Sequence, residues 1–459
     1  MSEGWQETEQ GEIKTQPSRQ LLDALTDALE KGANEDVRAL CKDLRTPELA
    51  EVIELLPHPD RLKLIEALRP DFDYDIFSQL DETVRDQLSE DLPKEFLAKA
   101  AAELDTDDAA YLLENLEESQ RQEVLEKLSS TDRAALERNF DYDEETAGRI
   151  MQSDYVTVPP FWNVGQAIDY MREARHLPDV FSELFVVDPA YRVLGSVELS
   201  KLVRTKRNVA IKDIMRPERH IVRATMDQED VARKFQNYDL MSAPVVDENE
   251  RLVGVITVDD VVDVIHDEAE EDMKALAGVG DETMADSVYW TARSRVPWLI
   301  VNLGTAILAS LVIQMFDATI EQMVSLAVLM PIVASMGGNA GTQTMTVTVR
   351  ALATNKLGRV NAPRVILREA IVGLLNGLML SIIMAAVVFF WFGSTKLGGV
   401  VAAAMIVNLF AAGLAGILIP LTMDNFDLDP APASGVIVTA ITDVIGFFAF
   451  LGLAALWLL

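Results

Sequence analysis

The sequence predicts a multidomain chain: an α-helical superhelical front domain, a tandem α/β pair behind it, and a five-span α-helical membrane domain at the rear. Three observations predict this. First, the charge is split. Of the net −33, the residues from Pro297 onward hold 6 Lys+Arg and 7 Asp+Glu, hence −1, which leaves −32 before them. Second, the apolar period changes near Asp154 from helical spacing to strand–helix alternation. Third, the chain behind Pro297 is nearly all apolar, with its charges confined to short stretches.

The expected order is a disordered tail over 1–20, a helical domain over 21–150, the α/β pair over 151–266, an acidic plug-like connecting helix over 267–295, and the membrane domain over 296–459. The start, MSEGWQETEQ, is polar and acidic, which predicts a front that stays in the cytoplasm. Cys41 is the single cysteine, so an intrachain disulfide and a thiolate metal cluster are excluded. A surface this acidic gives a nucleic acid nothing to bind. It also repels itself unless counter-ions collect on it, a task suited to divalent cations.

From Leu21 to Phe140 the chain reads as short amphipathic helices parted by Pro, Asp and Ser. Thr46-Pro47 opens one, and Leu49, Val52, Ile53 and Leu56 follow at helical spacing. TDDAAYLLENLEESQRQEVLEKL, from Thr106, repeats the helix–break–helix layout of TPELAEVIELLPHPDRLKLIEAL, from Thr46. Such pairs stack into a small superhelix, a scaffold for binding rather than a catalytic frame.

Two similar α/β units then follow. The first pairs TVPPFWNVGQAIDYM with ELFVVDPAYRVLGSVELSKLV; the second pairs IVRATMDQEDVARKF with SAPVVDENERLVGVITVDDVV. They resemble tandem CBS domains. In that family a Gly-x-x-Thr-x-x-Asp element binds adenosine nucleotides such as ATP, its Asp taking the ribose hydroxyls, and Gly254, Thr257 and Asp260 match it here. The first unit departs, with Lys201 where the acid belongs. Behind the second unit, DVIHDEAEEDMKALAGVGDE predicts a long acidic helix from Asp263 to Glu282. Its crowded carboxylates repel at i,i+4 spacing, a penalty that a bound cation removes.

Five spans are expected, at Val296–Phe316, Ile320–Ala340, Val365–Phe392, Gly399–Met423 and Ser434–Leu459. Arg293 and Arg295 precede the first, and Arg350, Lys356, Arg359, Arg364 and Arg368 lie between the second and third. The positive-inside rule then makes this a multi-pass protein of the cell (inner or plasma) membrane, with its N terminus cytoplasmic and its C terminus extracytoplasmic. The last span carries one acid, Asp443, with Thr439 and Gly435 one and two turns before it on the same face. An acid at that depth costs a few kcal/mol, so it faces a bundle interior or a wet path, and this face suits a hydrated cation. In the second span Pro331 and MGGNAGTQ predict a pore-proximal bend, with Asn339 and Gln343 sharing a face. The exit of the fourth, MDNFDLDP, puts Asp424, Asp427 and Asp429 at the cytoplasmic mouth.

This order of parts, with PxxxxxMGGNAGTQ and DPAPASGVIVTAITDVIG in the membrane domain, resembles the MgtE family of magnesium channels over nearly the whole chain. The resemblance implies a homodimer in the lipid bilayer, its pore on the two-fold axis, where Asp443 of each subunit holds hydrated Mg²⁺ and Thr439 and Gly435 line neighbouring turns. It further implies that cytosolic Mg²⁺ bridges acids of the front domains and closes the pore. By motif those acids are Asp107, Asp227, Glu229, Asp239, Asp260, Asp263, Glu268, Glu271 and Asp272. Tyr111 stands where the family also carries an acid.

The expected function is therefore a Mg²⁺-selective channel for Mg²⁺ uptake, gated closed by intracellular Mg²⁺, and not an enzyme. No Gly-x-x-x-x-Gly-Lys-Ser/Thr loop occurs, which argues against an ATP-driven pump. The rivals are a membrane-anchored nucleotide or ion sensor that conducts nothing, and the same channel carrying Mn²⁺, Co²⁺ or Ni²⁺. Oxygen ligands favour Mg²⁺ or Mn²⁺, since four His and one Cys give softer metals little to bind.

Overall fold

The computed structural model describes residues 17–459 apart from 175, 176, 179, 218, 219, 281–287, 355, 359 and 427, and Pro70 without its side chain. Most of the expected tail over 1–20, Arg359, Asp427 and the expected helix end at Glu282 therefore lie outside the described residues. The chain divides into two compact units, Met1–Glu268 and Ala269–Leu459.

The first unit opens with short helices α1 (Arg19–Glu30), α2 (Asn34–Cys41), α3 (Thr46–Leu55), α4 (His58–Leu68), α5 (Glu82–Asp91), α6 (Lys94–Glu103), α7 (Thr106–Leu113), α8 (Glu118–Leu125) and α9 (Ser130–Phe140). Their starts follow local chemistry. Ser18, Asp81 and Ser129 cap backbone amides, and Pro47 sits in the first turn of α3, where its missing N–H costs nothing. Apolar faces converge on Leu25, Ile53, Leu64, Phe77, Leu97 and Leu113, all at most 1% exposed. Phe72, Tyr74, Phe77 and Phe96 interlock edge to face at 5.3–6.3 Å in the middle of the stack.

Two α/β modules follow. The first comprises β1 (Thr157–Val158), α10 (Val164–Glu173), β2 (Glu183–Val187), β3 (Val193–Glu198), α11 (Leu199–Arg204), α12 (Ile211–Ile214) and β4 (Arg216–Pro217). The second comprises β5 (Val222–Arg223), α13 (Gln228–Tyr238), β6 (Ser242–Val246), β7 (Leu252–Thr257) and α14 (Val258–Leu276). Each sheet sets a parallel pair, β1–β2 or β5–β6, beside an antiparallel hairpin, and both hairpins shift register at the same place, Val186/Val187 and Val245/Val246. The modules are tied to each other. Ser242 donates to Glu183 at 2.7 Å, and Phe185, Val187, Leu252 and Val255 share one apolar cluster. Gln152 exchanges backbone hydrogen bonds with Val255 at 2.8 and 3.0 Å, so the lead-in to the first module pairs with a strand of the second.

The acidic helix differs from expectation. It begins at Val258 rather than Asp263, because the Thr257–Asp260 turn is itself its N terminus, and it ends at Leu276, followed by Gly278 at φ +70°.

The second unit holds α15 (Val288–Gln314), α16 (Asp317–Gln322), α17 (Ser325–Ala353), α18 (Ala362–Phe392), α19 (Thr395–Asn425) and α20 (Pro430–Trp457). Four of these, α15, α18, α19 and α20, are long and apolar enough to cross a membrane. A fifth is not among them. At 29 residues, or about 43 Å, α17 is long enough. Its Gly, Asn, Gln and Thr residues between Gly337 and Thr348 leave it less apolar than the four. The helix runs on through Pro331 and Met336–Gln343, the stretch where a pore-proximal bend is expected. Proline removes only one helical hydrogen bond, and packed neighbours hold the rest of the turn. At the centre stands α19, with α18 laid close along it where Gly373 meets the Leu409 carbonyl and Gly413 meets that of Glu369.

Candidate functional site: two groups of carboxylates

In the second unit, Asp443 lies within α20, 13 residues from its start at Pro430, and is half-buried. No hydrogen bond or ion pair engages its side chain among the described residues. Thr439, exposed, donates back to the Gly435 carbonyl at 2.9 Å. On α17, Asn339 and Gln343 are both exposed on the outside of the single chain. The buried side of α20 is made instead by Ser434, Val438, Thr442 and Gly446. The last turn of α14 reaches this region: Ala275 and Leu276 pack with Met345, Val349, Ala431 and Val438, and the Leu276 carbonyl would lie 3.8 Å from a Cβ at Gly435. Asp272, one turn back, has its carboxyl raised by burial and by the charge of Asp429, against the pull of Arg350.

The first unit gathers a second group. Asp107, in the first turn of α7, is 3% exposed, and its Oδ1 is buried without a hydrogen-bond partner. Asp260, in the first turn of α14, accepts from Thr257 Oγ1 at 2.6 Å and Gln152 Nε2 at 3.0 Å, and its charge acts on Asp107. Two buried carboxyls that act on each other's charge resist ionising together, which favours the protonated form of the pair. Burial first, then the charges of Asp260, Asp108 and Asp105, pushes Asp107 well above the carboxylate range. Burial and Asp260 raise Asp108 to about 7, with Arg85 opposing, and burial raises Asp260 to about 6 despite its hydrogen bonds from Thr257. Tyr111 packs into the core of the second module under the Arg85 guanidinium, 5.4 Å from the ring centre, and burial holds its phenol protonated.

A carboxyl raised in the folded state binds its proton more tightly than in the unfolded chain. Folding is therefore favoured at low pH, and that stability is lost as pH rises through about 6 to 7. In chelator, the thermal midpoint of the full-length protein should fall between about pH 5 and pH 8, and the Asp260→Asn variant should flatten the slope. A midpoint that climbs over this range would contradict the raised carboxyls.

The other expected acids stand apart from this pair. Asp227 caps α13 through the Glu229 amide at 2.8 Å, and Glu229 pairs with Arg233. Asp239 ends α13 in the left-handed region at φ 51°, which Asp tolerates. The carboxyl of Asp263 is raised by partial burial and Asp259, with His266 opposing; Glu268 accepts from Gln228 at 2.8 Å, and Glu271 is exposed. Among the described residues, no three His, Cys, Asp or Glu side chains are gathered to hold a metal. In the expected nucleotide cradle Thr257 and Asp260 meet, while the space above Gly254 is filled: a Cβ there would fall 2.6 Å from Met151 Sδ and 2.9 Å from the Gln152 carbonyl.

Sequence reasoning missed four residues. Asp108 and Gln152 join the Asp107–Asp260 pair through folding. Glu369 is a second acid in a long apolar helix, 14% exposed and hydrogen-bonded by Thr344 at 3.4 Å, so the signal that found Asp443 applied to it as well. Asn408, fully buried in α19, left no such signal.

The comparisons with known proteins agree with this layout. The family model described as a divalent cation transporter, MgtE, matches residues 330–453, that of the MgtE intracellular N domain matches 44–145, and the CBS domain model matches 147–207 and 211–267. A magnesium transporter MgtE of Thermus thermophilus is 33% identical over 443 residues, covering 95% of each chain. The chain belongs to the MgtE family. The magnesium transporter MgtE of Bacillus subtilis is 29% identical over 93% of this chain and 95% of its own. A solved structure described as the cytosolic domain of the Mg²⁺ channel MgtE in complex with ATP is 29% identical, covers 53% of this chain and 99% of its own, and has a TM-score of 0.49. MgtE relatives are thus named as magnesium transporters, a non-enzymatic role, and this chain is a membrane member of that family with CBS domains.

Proposed function

We propose that this MgtE chain is a homodimeric Mg²⁺ channel that takes up Mg²⁺ and closes when cytosolic Mg²⁺ binds its acidic front. Asp443 carries the reading: an acid without an ion-pair partner among the described residues, inside an apolar 28-residue helix, one turn from Thr439. A carboxylate there serves a hydrated cation better than it serves packing. With α17 as a fifth span, the N terminus is cytoplasmic and the C terminus outside. The exposed Thr439, Asn339 and Gln343 then face a second copy and the pore rather than lipid.

The gating half rests on Asp107 and Asp260. Both carboxyls favour their protonated forms, and Mg²⁺, which keeps much of its water, would displace a proton and take a carboxylate oxygen from each. Asp227, Glu229, Asp239, Asp263, Glu268 and Glu271 are further candidates for water-mediated ions. Asp272 sits nearest the pore helix, since the last turn of α14 packs at Ala431 and Val438. An adenosine nucleotide at Gly254, Thr257 and Asp260 would take over the carboxylate that Thr257 and Gln152 now hold.

Mg²⁺ influx into proteoliposomes loaded with an indicator tests this, with Mn²⁺ and Co²⁺ as competitors. The expected result is Mg²⁺ influx suppressed by Mg²⁺ on the cytosolic face. Folded wild-type protein with no influx at any Mg²⁺ concentration would favour the non-conducting sensor, and preferred Mn²⁺ or Co²⁺ influx a different cargo.

A further inference from the structure

Asn408 is a fully buried polar residue in the middle of α19, surrounded by apolar helices. Its Nδ2 donates to the Val333 carbonyl of α17 at 2.8 Å, and its Oδ1 is buried without a partner. The carboxamide fills a slot cut by glycines of two other helices. A Cβ on Gly337 of α17 would fall 2.2 Å from Nδ2, and one on Gly446 of α20 would fall 2.6 Å from it. A second close approach lies further along the same two helices, where a Cβ on Gly341 would meet Val438 at 2.5 Å and Thr442 at 3.5 Å.

These two contacts bracket the proposed pore residues. On α20, Asp443 lies between Val438 and Gly446; on α17, Asn339 lies between Gly337 and Gly341. We infer that Asn408 is a positioning residue for conduction, a polar key that fixes the depth and rotation of α17 and α20 so that Asn339 and Asp443 meet the ion at one level. This rests on the pore reading of Asp443. Asn408 makes one interhelical bond while its Oδ1 goes unsatisfied, so the contact holds a geometry at a cost in stability rather than maximising adhesion.

The test is flux through reconstituted full-length protein. Wild type, Asn408→Leu, Asn408→Asp, Gly446→Ala and Asp443→Ala are compared for the Mg²⁺:Ca²⁺ flux ratio and the half-saturating Mg²⁺, with thermal midpoints measured in parallel. Asn408→Leu should lower the flux ratio by about fivefold, the worth of one net hydrogen bond, and Gly446→Ala, whose methyl would crowd Asn408 Nδ2, should lower it as well. Asn408→Asp can donate to Val333 only when protonated, so its ratio should recover as pH falls; it also serves if Asn408→Leu does not fold. An unchanged ratio and half-saturation in folded Asn408→Leu or Asn408→Asp, alongside lost flux in Asp443→Ala, would overturn the positioning role alone. An Asp443→Ala variant that conducts like wild type would overturn the pore reading and this inference with it.

Discussion

Asp443→Ala should reduce Mg²⁺ flux by about 10- to 100-fold while leaving the protein folded. The size follows from removing one charge-assisted contact, worth roughly 1.5–3 kcal/mol, at the rate of tenfold per 1.4 kcal/mol. The intact fold follows from the structure, in which the Asp443 side chain takes part in no hydrogen bond or ion pair among the described residues. Its carboxylate therefore contributes little to holding α20 in place. Asp443→Glu keeps the charge and moves it by one methylene, so it should retain part of the flux. Equal losses of flux and of thermal stability in Asp443→Ala would make the acid structural instead.

The second large effect is expected for the Asp107→Asn, Asp260→Asn double variant. Both substitutions keep shape and remove charge, so in chelator at neutral pH the variant should be more stable than wild type, whose buried carboxyls repel each other when ionised. In flux, the same variant should need about tenfold more cytosolic Mg²⁺ for half-closure, since two charge-bearing ligands of a bridging ion are gone. Greater stability together with weaker Mg²⁺ response is a signature that loss of packing does not produce. Unchanged half-closure would remove this pair from the sensor.

Much of this was legible in the sequence because its signals are local. The Pro47 start, the Thr106–Leu128 repeat and the strand–turn–strand run at VVDENERLVGVIT each follow from neighbouring residues. Asp443 was legible for the same reason, as an acid in an apolar run. Meeting points between distant segments were not legible. Asp107 and Asp260 are far apart in sequence, and spacing alone does not show that α7 delivers an orphaned carboxylate oxygen to the turn that starts α14. Asn408 lay hidden because an isolated Asn in an apolar helix has the same pattern whether it faces solvent, lipid or two glycines. The expected start of the acidic helix falls five residues late because charge marks it, whereas its N terminus is set by Thr257 and Asp260. The polar middle of α17 reads as a bend in a helical run, and the helix is continuous there.

The central claim, conduction through the Asp443 face under control of cytosolic Mg²⁺, is tested most directly by current through the full-length protein in inside-out patches. Mg²⁺ at the cytosolic face is raised from chelator to millimolar. Mg²⁺-carried current that is open in chelator, closes as cytosolic Mg²⁺ rises, and falls by about 10- to 100-fold in Asp443→Ala is the predicted result. Mg²⁺ current unaffected by either cytosolic Mg²⁺ or the Asp443→Ala substitution would contradict the account.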